Sequence, residues 1–307
     1  MASPRFSVVI AAFNAAGTVA SAVSSVLAQT QPDLEVIVVD DGSSDRTSDV
    51  VAGIDDPRVR LIGQPNRGTA AARNAGIAIA LGTYVAFLDS DDLYLPGYLE
   101  LSERALGSAP DVGFAYTDAY VFDDTSGRVR RRSAMARNRP PVPAPTDRDQ
   151  FLLALLERNF VFVAAVVPRD VLGAVGGFDE SLHAIEDYDL WLRILLHGYR
   201  AAWVEGQHVL YRRHPGQLSR NLVRMADTLR AVYDHLPMDE MPTDAHRALL
   251  ARRRAEVRRD LKRLSRFGRL VPLGLVAALK RAGVGEAWYD AGAPANVVAA
   301  FPDLTAV

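Results

Sequence analysis

A chain of 307 residues that is 49% hydrophobic can bury one large core, with room for a single domain and an appendage. A formal charge of -2 argues against binding nucleic acid through overall charge, and the lack of cysteine excludes disulfides and thiolate metal sites. No basic segment with an apolar h-region precedes Phe6, and the longest apolar run, Leu270 to Leu279, is half the roughly 20 residues a membrane span needs. The expected location is cytoplasmic.

Phe6 to Ala12 reads as a buried strand running into a turn at Phe13-Asn14. Thr18 to Gln29 carries Val19, Val23, Val26 and Leu27 on one helical face. Leu34 to Val39 is a second buried strand, ending in Asp40-Asp41-Gly42-Ser43-Ser44-Asp45, where Ser44 or Asp45 is suited to cap the next helix. Arg58 to Ile62 is a third, short strand, and Gly68 to Gly76 opens an Ala-rich helix. Three strand–helix units in succession imply right-handed crossovers and a parallel, doubly wound sheet.

The fourth strand, Thr83 to Leu88, leads into Asp89-Ser90-Asp91-Asp92. Three carboxylates in four residues repel one another unless a cation sits among them, and open α/β sheets bind ligands at the carboxyl ends of their strands. A hard divalent cation carrying substrate phosphates meets both conditions; a solvated Asp-rich turn is the plain alternative.

Beyond Leu95-Pro96 the pattern predicts a helix through Tyr98, Leu101 and Leu106, then a strand over Val112 to Tyr116. Asp123 to Asp149, with Arg128, Arg130, Arg131, Arg132, Arg137, Arg139 and four prolines, reads as a loop over the site. A helix over Phe151 to Arg158, a strand over Val161 to Val167, a Gly176-Gly177 turn and a helix starting at Glu186-Asp187 follow. Tyr199 to Tyr211 is strand-like and gives way to Arg212-Arg213-His214, and Arg220 to Leu236 is helical. From Thr243 a basic amphipathic helix is expected, packed with a solvated basic face; peripheral contact with the inner face of a membrane is its second reading.

The ordered series Val8 to Asn14, Val38 to Ser43, Gly68 to Ala75, Asp89-Ser90-Asp91 and Glu186-Asp187 resembles the inverting family-2 glycosyltransferases over about residues 5 to 220. The resemblance implies a GT-A fold: a Rossmann-like, mostly parallel doubly wound sheet with helices on both faces. Residues 1–236 would form that domain, with a nucleotide-binding half to about 122 and an acceptor half from about 150. Residues 237–307 would be a helical, basic extension. It implies a nucleoside-diphosphate sugar donor, UDP-linked by expectation, and a hydroxyl acceptor on a glycan, lipid-linked molecule, natural product or peptide. Ala11, Phe13, Asp41, Arg73, Asp89 and Ser90 match donor-binding positions, with Phe13 stacking on the base and Asp41 hydrogen-bonded to it. Asp89, Asp91 and His214 match the metal site for Mn2+ or Mg2+. Asp187 matches the catalytic base, with Glu186 beside it, and Gly176-Gly177 the loop where the acceptor approaches.

Two other classes compete. A sugar-1-phosphate nucleotidyltransferase should carry a Gly-rich basic loop after the first strand, and Phe13-Asn14-Ala15-Ala16-Gly17 is not one. A non-catalytic module binding anions or membrane through its Arg-rich tail leaves the carboxylate series unexplained. Neither a G-x-G-x-x-G nor a P-loop pattern is present.

Overall fold

The computed structural model describes residues 3–123, 128–130, 145–214 and 222–267. The expected strand–helix units open it: β1 (Phe6–Ala12) and α1 (Val19–Leu27), β2 (Leu34–Asp40) and α2 (Thr47–Ala52), β3 (Val59–Gly63) and α3 (Thr69–Ile79). Then come β4 (Tyr84–Asp89), the short β5 (Leu93–Tyr94) and α4 (Tyr98–Leu106). The second half holds β6 (Val112–Asp123), β7 (Arg128–Arg130), α5 (Arg148–Glu157), β8 (Val166–Pro168) and α6 (Arg169–Val175). It ends with α7 (Glu186–Leu196), β9 (Arg200–Arg213), α8 (Leu222–His235) and α9 (Asp244–Phe267).

Across the sheet the order is β3-β2-β1-β4-β8-β6-β9-β5, with β7 paired to β6. β3, β2, β1 and β4 are parallel neighbours, β8 runs against β4 and β6, and β9 is parallel to β6. Only β5, β7 and β8 are reversed, so six of the nine strands share one direction. The mostly parallel, doubly wound sheet is therefore observed. Alternate residues of each central strand enter different cores. Val8, Ile10, Val36 and Val38 pack on one face, and Val9, Ile37, Val39 and Phe87 on the other. A strand covered by helices on both sides has no polar face to alternate with, which is why these runs are continuously apolar.

Two expected elements differ. The run Val161 to Val167 enters the sheet only at Val166; its earlier residues are a buried crossing segment, which an apolar run cannot distinguish from a strand. The stretch read as a loop contains β7, whose Arg128–Arg130 backbone pairs with Val121–Asp123. Arg131, Arg132, Arg137 and Arg139 lie outside the described residues, as do the run Leu270 to Leu279 and the rest of the tail.

The basic helix α9 packs on α5 and α8, and Leu250 and Val257 enter the core shared with α7. Its basic residues divide. Arg252, Arg258 and Arg259 are exposed, as expected, but Arg253 is buried beside Glu256 and Arg254 donates to the carbonyls of Tyr233 and Leu236. The unpaired carbonyls and negative dipole at the end of α8 account for Arg254 turning inward. Arg252 and Arg258 pair with Glu157 and Asp234. Among the described residues no helix is long and apolar enough to cross a membrane.

Close contact of α3 with β1 positions everything that follows. A Cβ on Gly76 would lie 2.4 Å from Val9 Cγ1, so only glycine lets the helix approach this far. Gly76→Ala is expected to cost about 1–3 kcal/mol through overpacking, read from thermal and denaturant unfolding. Val9→Ala in the same chain should recover part of that loss, and an additive double variant would contradict the contact.

Candidate functional site

The chain winds from β1 outward to β3, then returns to place β4 on the other side of β1. That reversal opens a crevice at the carboxyl ends of β1 and β4, the place where doubly wound sheets bind ligands. Ala11 stands beside Asp89 across this junction, and Ala12 beside Asp40 on the other side. The register alone brings the ends of three strands, and their acids, to one rim.

Asp89, Asp91 and Asp92 each present a carboxylate oxygen within 4.8 Å of the others. Asp92, which sequence reasoning left without a role, is the most deeply buried of the three and accepts the Arg212 N–H at 2.8 Å. Burial pushes its carboxyl well up, and repulsion from Asp91 and Asp89 adds to the effect. Asp89 is raised for the same first reason, with Arg73 opposing and Asp91 reinforcing. An all-oxygen set of crowded carboxylates fits a hard cation such as Mn2+ or Mg2+, whose charge removes the repulsion that otherwise protonates them. His214 stands behind this cluster, its Nε2 2.9 Å from Asp91 Oδ2. Ser90 is half-buried between the acids.

Arg73, from α3, is buried among these groups. Its Nη2 donates to Asp89 at 2.6 Å and its Nη1 to Glu186 at 2.5 Å. Burial alone would lower the guanidinium pKa, but Asp89, Glu186 and Asp187 together hold it charged. Nε has no hydrogen-bond partner among the described residues. Glu186 is thus committed to Arg73, a partnership no spacing in the sequence signals.

Glu186 and Asp187 open α7 directly after Ile185, whose φ of 48° is left-handed. For a β-branched residue this backbone costs of order 1–3 kcal/mol and persists only where its surroundings impose it. Leu182 and Ala184 are buried just before the turn, and the Tyr188 hydroxyl anchors α7 to the Leu155 carbonyl just after it. Asp187 Oδ1 accepts the Tyr188 N–H at 2.8 Å. Enclosure, and then the charge of Glu186, push the Asp187 carboxyl up to about 7.

The rim continues into two laced loops. Asn14 N donates to Ser43 Oγ at 2.9 Å, Ser44 N to Asn14 Oδ1 at 2.8 Å, and Ala16 N to Asp45 at 3.1 Å. Asp45 also accepts the Thr47 N–H at the start of α2, from one residue before the N-cap position, which Arg46 rather than Ser44 or Asp45 occupies. The lacing leaves Phe13 51% exposed, a flat apolar surface at the crevice edge. Directly after β2, Asp41 accepts from Gln64 Nε2 at 2.7 Å, Arg67 N at 2.9 Å and Gly68 N at 2.8 Å. About one of its four acceptor positions is left for a ligand.

The model of the family described as "Glycosyl transferase family 2" matches residues 7–176. The chain belongs to that family. Among relatives of this family-2 chain, succinoglycan biosynthesis protein ExoO of Rhizobium meliloti (strain 1021) is 38% identical over 222 residues, 71% of this chain and 64% of ExoO. UDP-Glc:alpha-D-GlcNAc-diphosphoundecaprenol beta-1,3-glucosyltransferase WfaP of Escherichia coli is 30% identical over 74% of this chain and 86% of its own. Among solved structures, the mannosyltransferase PcManGT from Pyrobaculum calidifontis, in complex with GDP-Man and Mn2+, superposes with a TM-score of 0.58. That match covers 91% of this chain and 79% of the other at 21% identity, a likeness of fold. The fold is GT-A, as the motif series implied.

Arg73→Met leaves Glu186 buried without a counter-charge. A broken buried pair costs about 3–5 kcal/mol; the low end is expected here, because the Asp89 side chain keeps 36% of its surface exposed. Urea unfolding should show the loss near neutral pH.

Proposed function

We propose that this family-2 chain is a metal-dependent inverting glycosyltransferase that moves a sugar from a nucleoside-diphosphate donor to an acceptor hydroxyl in a single displacement. The observation that carries the reading is the carboxylate rim at the β1–β4 crevice, with one buried guanidinium joining its donor side to α7. The donor assigned is UDP-linked, in keeping with the UDP-Glc-dependent activity named for WfaP. The acceptor assigned is a hydroxyl of a sugar under assembly, in keeping with the names of ExoO and WfaP.

Phe13 offers the base a stacking face, and the remaining acceptor position of Asp41 takes a base N–H. Asp89 and Asp91, with Asp92 beside them and His214 behind Asp91, would hold Mn2+ or Mg2+. When bound, such an ion neutralises the developing charge of the nucleoside-diphosphate leaving group. Arg73 adds a fixed positive charge on the same side.

Asp187 is the base. Glu186 is held by Arg73, whereas Asp187 is only partly buried and titrates near neutrality, where a general base is most effective. Its carboxylate takes the proton of the acceptor hydroxyl as that oxygen forms a bond to the anomeric carbon and the bond to the diphosphate oxygen breaks. One displacement from the far face inverts the configuration, and no carboxylate serves as a covalent nucleophile. We assign α9 to packing rather than to a membrane, because Arg252, Arg253, Arg254 and Arg258 are each paired within the chain.

The direct test incubates the protein with UDP-glucose, other nucleotide sugars and sugar acceptors, with Mn2+ and then with chelator, and follows nucleoside diphosphate release and product configuration. Release with Mn2+, its loss with chelator or in Asp91→Asn, and an inverted product are expected. Retention of configuration would exclude the single displacement.

Asp187→Asn should lower turnover by on the order of 10²–10⁴-fold with donor affinity nearly unchanged. Turnover of the parent should rise with pH through about 7 as Asp187 loses its proton, and the variant should lack that limb. Near-normal turnover of Asp187→Asn alongside an inactive Glu186→Gln would transfer the role to Glu186.

A further inference from the structure

The glycine turn before α7 is tied to α3 by one side chain. Asn74 Nδ2 donates to the Phe178 carbonyl at 2.9 Å, and its Oδ1 accepts the Phe178 N–H at 2.9 Å. A primary amide that both gives to and takes from one residue's backbone fixes its position and its orientation. Asn74 Nδ2 also reaches Glu180 Oε1 at 3.1 Å, where Arg67 pairs with the same carboxylate. From the other side, Arg193 of α7 donates to the carbonyls of Val175 and Gly177, each at 2.7 Å. Gly177 has a φ of +69°, and a Cβ there would lie 2.8 Å from Asn74 Oδ1, so the grip depends on a glycine at that position.

What this grip delivers is the Phe178 ring. The ring is buried, stands edge-on to Phe87 of β4 at 5.0 Å, and lies under the Arg73 guanidinium with Cζ 5.3 Å from its centroid. Arg73 has two hydrogen-bonded anchors, Glu186 and Asp89, and none at Nε. Two anchors along one edge leave the plane of a guanidinium free to tilt about the line joining them. An aromatic face beneath it removes that freedom and attracts the cation. Asn74 directly follows Arg73 in α3, so grip and cation are set by the same turn of helix.

We propose that Asn74 is a positioning residue: by holding the Phe178 ring against Arg73, it fixes the guanidinium between the carboxylates of the nucleotide side and those of α7. The assignment rests on the proposed role of Arg73 in transfer, but its physical content, a ring held under a cation, is measurable without any donor.

The Arg73 Hε proton, assigned by its loss in Arg73→Lys, should carry a ring-current shift from Phe178 in the NMR spectrum of the full chain. Phe178→Leu should abolish that shift, and Asn74→Ala should move the resonance in the same direction. Glu180→Gln, which cuts the neighbouring ion pair but leaves both Asn74–Phe178 bonds, should leave it in place. In parallel, UDP release from UDP-glucose with Mn2+, water serving as acceptor, is measured per donor-binding site counted by calorimetry. Asn74→Ala should lose on the order of 10²-fold in kcat, the scale for small misplacements of reacting groups, while KM for UDP-glucose stays near that of the parent. An unchanged Arg73 resonance in Asn74→Ala overturns the proposal, as does parental kcat per site in both Asn74→Ala and Phe178→Leu. If the parent itself releases no nucleoside diphosphate from any sugar donor, the functional reading fails, and the resonance alone decides whether Asn74 positions Arg73.

Discussion

Five carboxylates, those of Asp89, Asp91, Asp92, Glu186 and Asp187, meet at one end of this sheet around a single buried guanidinium. At the spacing of the Asp cluster, two like charges repel by about 3–4 kcal/mol in an environment of effective dielectric near 20. Such a gathering is tolerable only if some charges are removed by protons and others are matched by cations. Both happen here. Asp89, Asp92 and Asp187 are pushed toward their neutral forms, and Arg73 matches Glu186 and Asp89 directly. The remaining crowding is the condition a hard cation would relieve, so the cation site proposed for the rim and the rim's internal repulsion would have one cause.

Placing that guanidinium constrains elements far along the chain. Arg73 reaches Asp89 because α3 lies against β1 through Gly76, and it reaches Glu186 because α7 begins where it does. The left-handed Ile185 is the local cost of that starting point. The backbone must reverse sharply to present two acids at the head of a helix while Leu182 and Ala184 stay buried. Neighbouring elements oppose any relaxation: Tyr188 is bonded to α5, and Arg193 holds the preceding turn. Strain at this turn is thus maintained by packing rather than by the turn itself.

How much of this was legible in the sequence depends on how locally each feature is encoded. The strands β1, β2 and β4 are largely apolar runs, and β2 and β4 end in acids, so their identity, direction and rim could be read from composition along a few residues. Asp91 and His214 were paired across 123 positions only by resemblance, since nothing local links them. Asp92 was visible as the third carboxylate of the cluster, but not its burial or its bond from the Arg212 N–H. The Arg73–Glu186 and Asn74–Phe178 contacts join residues more than 100 positions apart, and no periodicity carries such information. Arg253 and Arg254 misled for the opposite reason: arginine on an amphipathic helix is usually solvated, and only the exposed carbonyls at the end of α8 draw Arg254 inward.

The same logic explains how two adjacent acids come to serve different ends. Successive residues of an α-helix point about 100° apart, so Glu186 and Asp187 cannot both face Arg73. The longer side chain turns inward, becomes almost fully buried and is neutralised by the guanidinium. Asp187 is left partly buried, beside Glu186 and within the field of Arg73 but with no hydrogen bond to that guanidinium. Its proton affinity rises through enclosure first and through the neighbouring carboxylate second. Exchanging the roles would require α7 to rotate by more than a quarter turn, which the anchored Tyr188 and Arg193 oppose. Two carboxyls in sequence thus become a structural anion and a group that titrates near neutrality, separated by environment and not by chemistry.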